Sequence, residues 1–188
     1  MNYFKIRSEL LAILSIVLIS GCGTTAAVQY KVDSPKQASK QVSVYVKDFN
    51  DVRPQSERGV IGKILNAWSE DNGNVNEPPT LVQDLKNAIE QELMNAGYSM
   101  GMDSNGVVVS CSLMSIKCNF LPTYVSVAQL RMHIIVMDHG QQVIDHVYEG
   151  EGTGRPLLVG LGTNEAITSA VKKVITLFVK DIDSYIKT

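Results

Sequence analysis

His133 and His146 flank a hairpin signal, Asp138-His139-Gly140. With His139-Gly140 as the two-residue turn, counting outward sets His133 opposite His146 and Arg131 opposite Tyr148 on one sheet face. Two facing imidazoles are the start of a metal site. Catalytic zinc takes three protein ligands, however, and a one-residue change at the turn separates the pair. The spacing fits an exposed sheet face with polar cross-strand pairs equally well. Asp48, Asp51 and Arg53 close the first strand and make either a charged site or a local ion pair that fixes a loop. Ser110, Ser112 and Ser115 lie in a strand without a nucleophile elbow. Gly160-Leu161-Gly162-Thr163 enters a helix, where free amides can hold an anion. It lacks the Walker lysine, and the third glycine of a dinucleotide fingerprint would fall at Glu165. None of these groups completes a catalytic set, so the expectation is a protein that is not an enzyme and needs no cofactor or metal.

The covalent chemistry lies nearer the N-terminus. Lys5 and Arg7 precede an apolar run over residues 10–19, interrupted by Ser15 and followed by small residues and Cys22. This is the layout of an export signal. The run is half the length that a helix needs to span a bilayer, so residues 1–21 read as a removable signal rather than a membrane span. Ile19-Ser20-Gly21-Cys22 resembles the lipobox of bacterial lipoproteins. The resemblance implies a thioether-linked diacylglycerol on Cys22, cleavage before it and a further acyl chain on the new amine, a durable anchor. Gly23 stands where an aspartate would retain a lipoprotein of the enteric type at the inner membrane, which favours the outer membrane.

Without Lys5, Arg7 and Glu9 the remaining 167 residues carry 15 Lys/Arg against 18 Asp/Glu, with no basic cluster. That excludes an electrostatic case for nucleic acid. The length suits one domain. With Cys22 assigned to lipid, Cys111 and Cys118 remain. Seven residues along one extended strand put their Cα atoms more than about 20 Å apart, so packed free thiols are expected, a disulfide requiring the strand to turn between them.

Residues 22–40 read as the lipidated cysteine and a flexible linker with a reach of roughly 60 Å, and 41–188 as the domain. Val42, Val44 and Val46 alternate with polar residues up to Phe49, a half-buried strand. Residues 50–79 are polar and rich in Gly, Asn and Pro, with an apolar island at Val60, Ile61, Ile64, Leu65 and Trp68 that suggests a hairpin, a short helix or a functional loop. Thr80 and Gln83 suggest a capping box for a helix that Gly97 stops. Strands follow over 107–120, 124–137 and 141–149. Gly150, Gly152 and Gly154 break the pattern, and a last helix starts at Thr163 as N-cap. The expected fold is α+β: a mostly antiparallel four-stranded sheet with two helices packed on one face, in the order β-loop-α-β-β-β-α.

The lipobox, Phe49-Asn50-Asp51-Val52-Arg53, Ile61-Gly62, Asn95-Ala96-Gly97-Tyr98 and the final amphipathic helix resemble the YajG-type lipoproteins of Gram-negative bacteria over about residues 42–186. The resemblance implies outer-membrane attachment facing the periplasm, an α+β domain and no assigned enzyme chemistry. The 50–79 segment, with Trp68, Asp71-Asn72-Gly73-Asn74 and Pro78-Pro79, departs from it. The expected function is therefore a lipid-anchored, non-enzymatic binding or scaffold component of an envelope assembly. Its partners would be the membrane, through Cys22, and an envelope protein, met through Asp51, Arg53, Ile61, Gly62 and Trp68 and through the exposed sheet face. The opposing expectation is an envelope hydrolase or metal-dependent enzyme using His133 and His146.

Overall fold

The computed structural model describes residues 23–31, 39–40, 42–101, 106–155 and 159–186. The signal segment, Cys22 and residues 32–38 lie outside them. In chain order the elements are β1 (Thr24–Thr25), β2 (Ser43–Asp51), β3 (Val60–Leu65), β4 (Asp71–Asn76), α1 (Leu81–Asn95), β5 (Ser99–Met100), β6 (Val107–Leu121), β7 (Val125–Asp138), β8 (Gln141–Gly154) and α2 (Val159–Tyr185).

Long alternating runs build the centre. β6, β7 and β8 form an antiparallel meander, and inward residues such as Val109, Leu113, Leu130, Met132, Ile134 and Val136 are fully buried. Against them α2 lays Ile167, Val171, Val174, Ile175, Phe178 and Ile182, and α1 packs Leu85, Ala88, Ile89 and Leu93 beside it, next to β2 and β5. The two helices cover one face of the sheet.

The sheet itself corrects the expected four-stranded, mostly antiparallel arrangement, since it has eight strands and is mixed. β2 runs parallel to β6, because the chain between them crosses over through α1 on one face. Residues 50–79 supply the antiparallel pair β3 and β4, which buries Ile61, Ile64 and Val75. Asp71-Asn72-Gly73-Asn74 has little intrinsic strand preference, so β4 depends on its partner strands. β1 and β5, two residues each, lie alongside β4 and β2.

β2 and β3 share one edge of β6. β2 pairs over Val107 to Leu113, and β3 meets β6 at Phe120; Gly62 lies so close to the Cys118 carbonyl that any Cβ there would overlap it. Two of the register shifts lie in the ladders of β6 and tune its faces. One, between Val46 and Asp48, brings Phe49 and Asp51 opposite Cys111 and Leu113. The other, between Leu113 and Ser115, leaves Met114 unpaired, so that Ile116, Cys118 and Phe120 also turn inward. Cys111 and Cys118 are free and buried, as expected, and burial pushes both thiols up to about 12.

Both helix ends differ from the sequence expectation at their starts. Thr80 precedes α1 without capping it through its side chain; its hydroxyl donates to Asp84 (2.8 Å), and Gln83 bonds Asn87 instead. At the other end Gly97 has φ +93°, with Tyr98 N–H donating to Leu93 O and Gly97 N–H to Met94 O, the expected glycine stop. α2 begins at Val159, which puts Thr163 inside the helix. β8 does not stop at Glu149. It continues through Gly150, Gly152 and Gly154, where a Cβ would overlap the carbonyl oxygens of Ala170, Ala166 and Gly162 respectively. Glycines at every second strand position thus meet small residues at every fourth helix position, and the two backbones lie in contact.

Residues 23–31 fall in the stretch expected as linker, and here they pack on the domain. Ala26 is buried and its amide donates to Asn76 O (2.9 Å). Ala27 and Gln29 amides donate to Asn164 and Thr168 on α2, and the Tyr30 hydroxyl donates to Glu92 on α1.

Candidate functional site

The histidine pair does not form. Pairing runs as counted only for Met137 with Gln142 and Asp138 with Gln141; one extra residue, Val143, then shifts β8, so that Val136 pairs with Ile144 and Ile134 with His146. His133 and His146 consequently project from opposite faces. His133 Nε2 lies 2.6 Å from Asp145 Oδ1, whereas His146 stacks edge-on against Tyr148 at 4.8 Å between centroids. Arg131 faces Glu149, not Tyr148, with 2.7 Å between Nε and Oε1. Among the described residues no three His, Cys, Asp or Glu are placed to hold a metal.

Asp51 and Arg53 build the notch between β2 and β3. The Arg53 guanidinium, with no exposed side-chain surface, donates from Nε and Nη2 to Asp51 (3.0 and 2.7 Å), from Nη2 to Glu77 (2.8 Å) and from Nη1 to Glu57 O (3.1 Å). Arg58 then donates to Asp51 O and Arg53 O. One cation therefore ties the end of β2, the 52–59 loop and the residue after β4. Burial opposes the charge on Asp51, but hydrogen bonds and charge from Arg53 and Arg58 outweigh it and hold the carboxyl below its ordinary 3.8. A depressed folded pKa stabilises the fold above the ordinary value and is lost as pH falls through it. Urea midpoints measured downward from pH 5 are thus expected to fall through and below about pH 4, and an Asp51→Asn variant to show a shallower fall; identical slopes would remove Asp51 from the account.

Of the other residues singled out by sequence, Ile61 is 3% exposed and belongs to the core, and Gly62 is a packing position. Trp68 differs, being 81% exposed at the tip of the β3–β4 hairpin, where Asn66 Oδ1 accepts from the amides of Trp68 and Glu70.

The exposed sheet face, expected from sequence as a binding surface, carries a groove that sequence reasoning did not resolve into residues. The groove measures about 430 Å³ and runs between Pro54 and Glu57 of the notch loop and the outward side chains Met114, Ser115, Lys117, Gln129, Arg131, Glu149 and Glu151. The Arg131–Glu149 ion pair and a Gln129–Glu151 hydrogen bond (3.0 Å) order its floor. The alternation of polar residues was visible in each strand, but their assembly needed the register. The groove presents both signs of charge, ordered donors and acceptors, and a wall fixed by buried Arg53. Such a surface can recognise a polar or mixed-charge partner.

No protein-family model matches the chain, and no curated protein is similar to it in sequence. Among solved structures it is similar to a Xanthomonas campestris protein of the family DUF330, with 8% identity and a TM-score of 0.56 over 87% of this chain and 99% of that one. That likeness shows a shared fold. A lipoprotein from Neisseria meningitidis matches at 10% identity and a TM-score of 0.41 over 76% of this chain and 99% of that one. A neuraminyllactose-binding hemagglutinin homologue from Helicobacter pylori matches at 7% identity and 0.37 over 86% and 96%. No described helix is long and apolar enough to cross a membrane.

Proposed function

We propose that the chain is a lipoprotein of YajG-like type, held by acyl chains on Cys22 in the outer membrane and facing the periplasm, where it binds a protein component of an envelope assembly without catalysing a reaction. Residues 1–21 are the signal, and residues 41–188 form the domain onto which residues 23–31 pack. The anchor reading rests on Lys5, Arg7, the short apolar run and Ile19-Ser20-Gly21-Cys22. The binding reading is carried by the groove: helices cover one face of the sheet, and the other keeps an ordered polar recess walled by the 52–59 loop. Asp51 and Arg53 serve it as positioning residues, since they hold the loop rather than meet the partner.

A photo-crosslinking side chain at Gln129, in living cells, is expected to capture one dominant envelope protein. The same probe at Leu177, exposed on α2, should not capture it, and Arg131→Glu should reduce the Gln129 product several-fold. Identical mixtures of abundant envelope proteins from both positions would count against a groove partner.

A further inference from the structure

The chain enters the sheet within two residues of Cys22. β1 runs parallel to β4, with Thr24 opposite Val75 and Thr25 opposite Asn76. β4 begins at the β3–β4 hairpin tip and runs away from it, so the chain followed backward from Thr24 heads toward that tip. Gly23 lies against Asn74 and Asn76, and Asn74 pairs with Lys63. From Lys63 to the end of β3 at Leu65 is about 7 Å along the strand. Gly23 directly follows Cys22 in the sequence.

The same end of the sheet carries Trp68 and Tyr124. β3 and β6 are parallel and in register at Ile64 and Phe120, so the turns that follow them project together. Trp68 is 81% and Tyr124 71% exposed, more than any other large apolar side chain among the described residues. Backbone geometry holds both turns: the Trp68 amide donates to Asn66 Oδ1 (3.0 Å) and the Tyr124 amide to Leu121 O (3.1 Å). Aromatic rings with a polar edge favour the membrane–water boundary. The hairpin's charges are Glu70 and a Lys63–Asp71 pair, so anionic headgroups offer it no attraction and the contact is one of ring burial.

We infer that this end of the sheet rests on the lipid bilayer, with Trp68 and Tyr124 in the headgroup layer beside the acyl chains of Cys22. The inference rests on the anchor reading. A long free tether would let the domain tumble, whereas the pairing at Thr24 places anchor and aromatic tips on one edge and makes their contact with lipid effectively intramolecular. The strands then rise from the membrane. The turn at His139-Gly140 stands at their far end, roughly 45 Å away for a strand the length of β7, and the groove lies between.

Trp68 is the sole tryptophan, so its fluorescence reports this tip alone. The full protein, extracted from membranes and reconstituted in phosphatidylcholine vesicles with brominated acyl chains, should show blue-shifted emission, quenching by the bromolipid, and access to aqueous acrylamide several-fold below that of N-acetyltryptophanamide in the same suspension. Intact mass of the same sample reads the acyl chains on Cys22. Acylated Cys22 with Trp68 open to acrylamide and untouched by bromolipid would overturn the docking and leave the anchor standing. Trp68 shielded from acrylamide yet unquenched by bromolipid would also overturn it, because protein and not lipid would then cover the tip. An unmodified Cys22 would overturn the anchor reading and the docking with it.

Discussion

Replacing Gly152 by alanine is expected to cost the protein its stable fold. The added Cβ would overlap the Ala166 carbonyl oxygen and the Ala170 amide nitrogen. Both are helix backbone, which cannot swing aside as a long side chain can. To admit one methyl group, α2 must back away from β8, loosening Ile167, Val171 and Val174 against the meander. Overpacking a core costs about 1–3 kcal/mol where side chains can rearrange, so more than about 3 kcal/mol is expected here. The neighbouring Thr153 is exposed on the opposite face, and Thr153→Ala should change stability by less than about 0.5 kcal/mol. Urea unfolding of the two variants checks the pair. Equal midpoints would mean that helix and strand are not in backbone contact.

Arg53→Ala is the second large effect expected, through charge rather than volume. The substitution leaves Asp51 and Glu77 facing each other without their shared cation, and it frees the Glu57 carbonyl and the 52–59 loop. Breaking a buried pair costs about 3–5 kcal/mol, and the lower end applies because Asp51 and Glu77 keep 14% and 19% of their side-chain surface in water. Arg53→Lys keeps the charge but not the fork that reaches Asp51 and Glu77 together, so it should recover only part of the loss. A full recovery by lysine would assign the effect to charge alone. An unchanged midpoint for Arg53→Ala would show that the loop holds itself.

What could be read from sequence followed the length and regularity of each pattern. The meander and both helices were legible because their apolar residues recur over a dozen residues or more, so single exceptions did not hide the period. β4 was not legible, because Asp71-Asn72-Gly73-Asn74-Val75-Asn76 contains one apolar residue and takes strand form only against β3 and β1. Gly150, Gly152 and Gly154 looked like breakers because a strand signal counts side chains. Their meaning lies in the helix that they admit, and the matching spacing of Gly162, Ala166 and Ala170 was the signal that could have found it. The histidine pairing failed on the single extra residue Val143, which no turn motif encodes. For the site, Asp51 and Arg53 were visible as a charged pair, but their burial was not. It arises from two strands sharing one edge of β6, a property of topology rather than of local sequence.

Cys22 decides both the anchor and the orientation of the domain, and its state is read most directly by a count of reactive thiols in the protein taken from membranes. Cys111 and Cys118 are buried, with thiols pushed up to about 12, so neither is a thiolate at neutral pH. An acylated Cys22 has no thiol to give. The native protein should therefore take up no maleimide, the urea-unfolded protein should take up two equivalents at Cys111 and Cys118, and the N-terminal peptide should carry its acyl chains on Cys22. A native protein that reacts at once, with the label mapped to Cys22, would contradict the anchor and the orientation of the domain that follows from it.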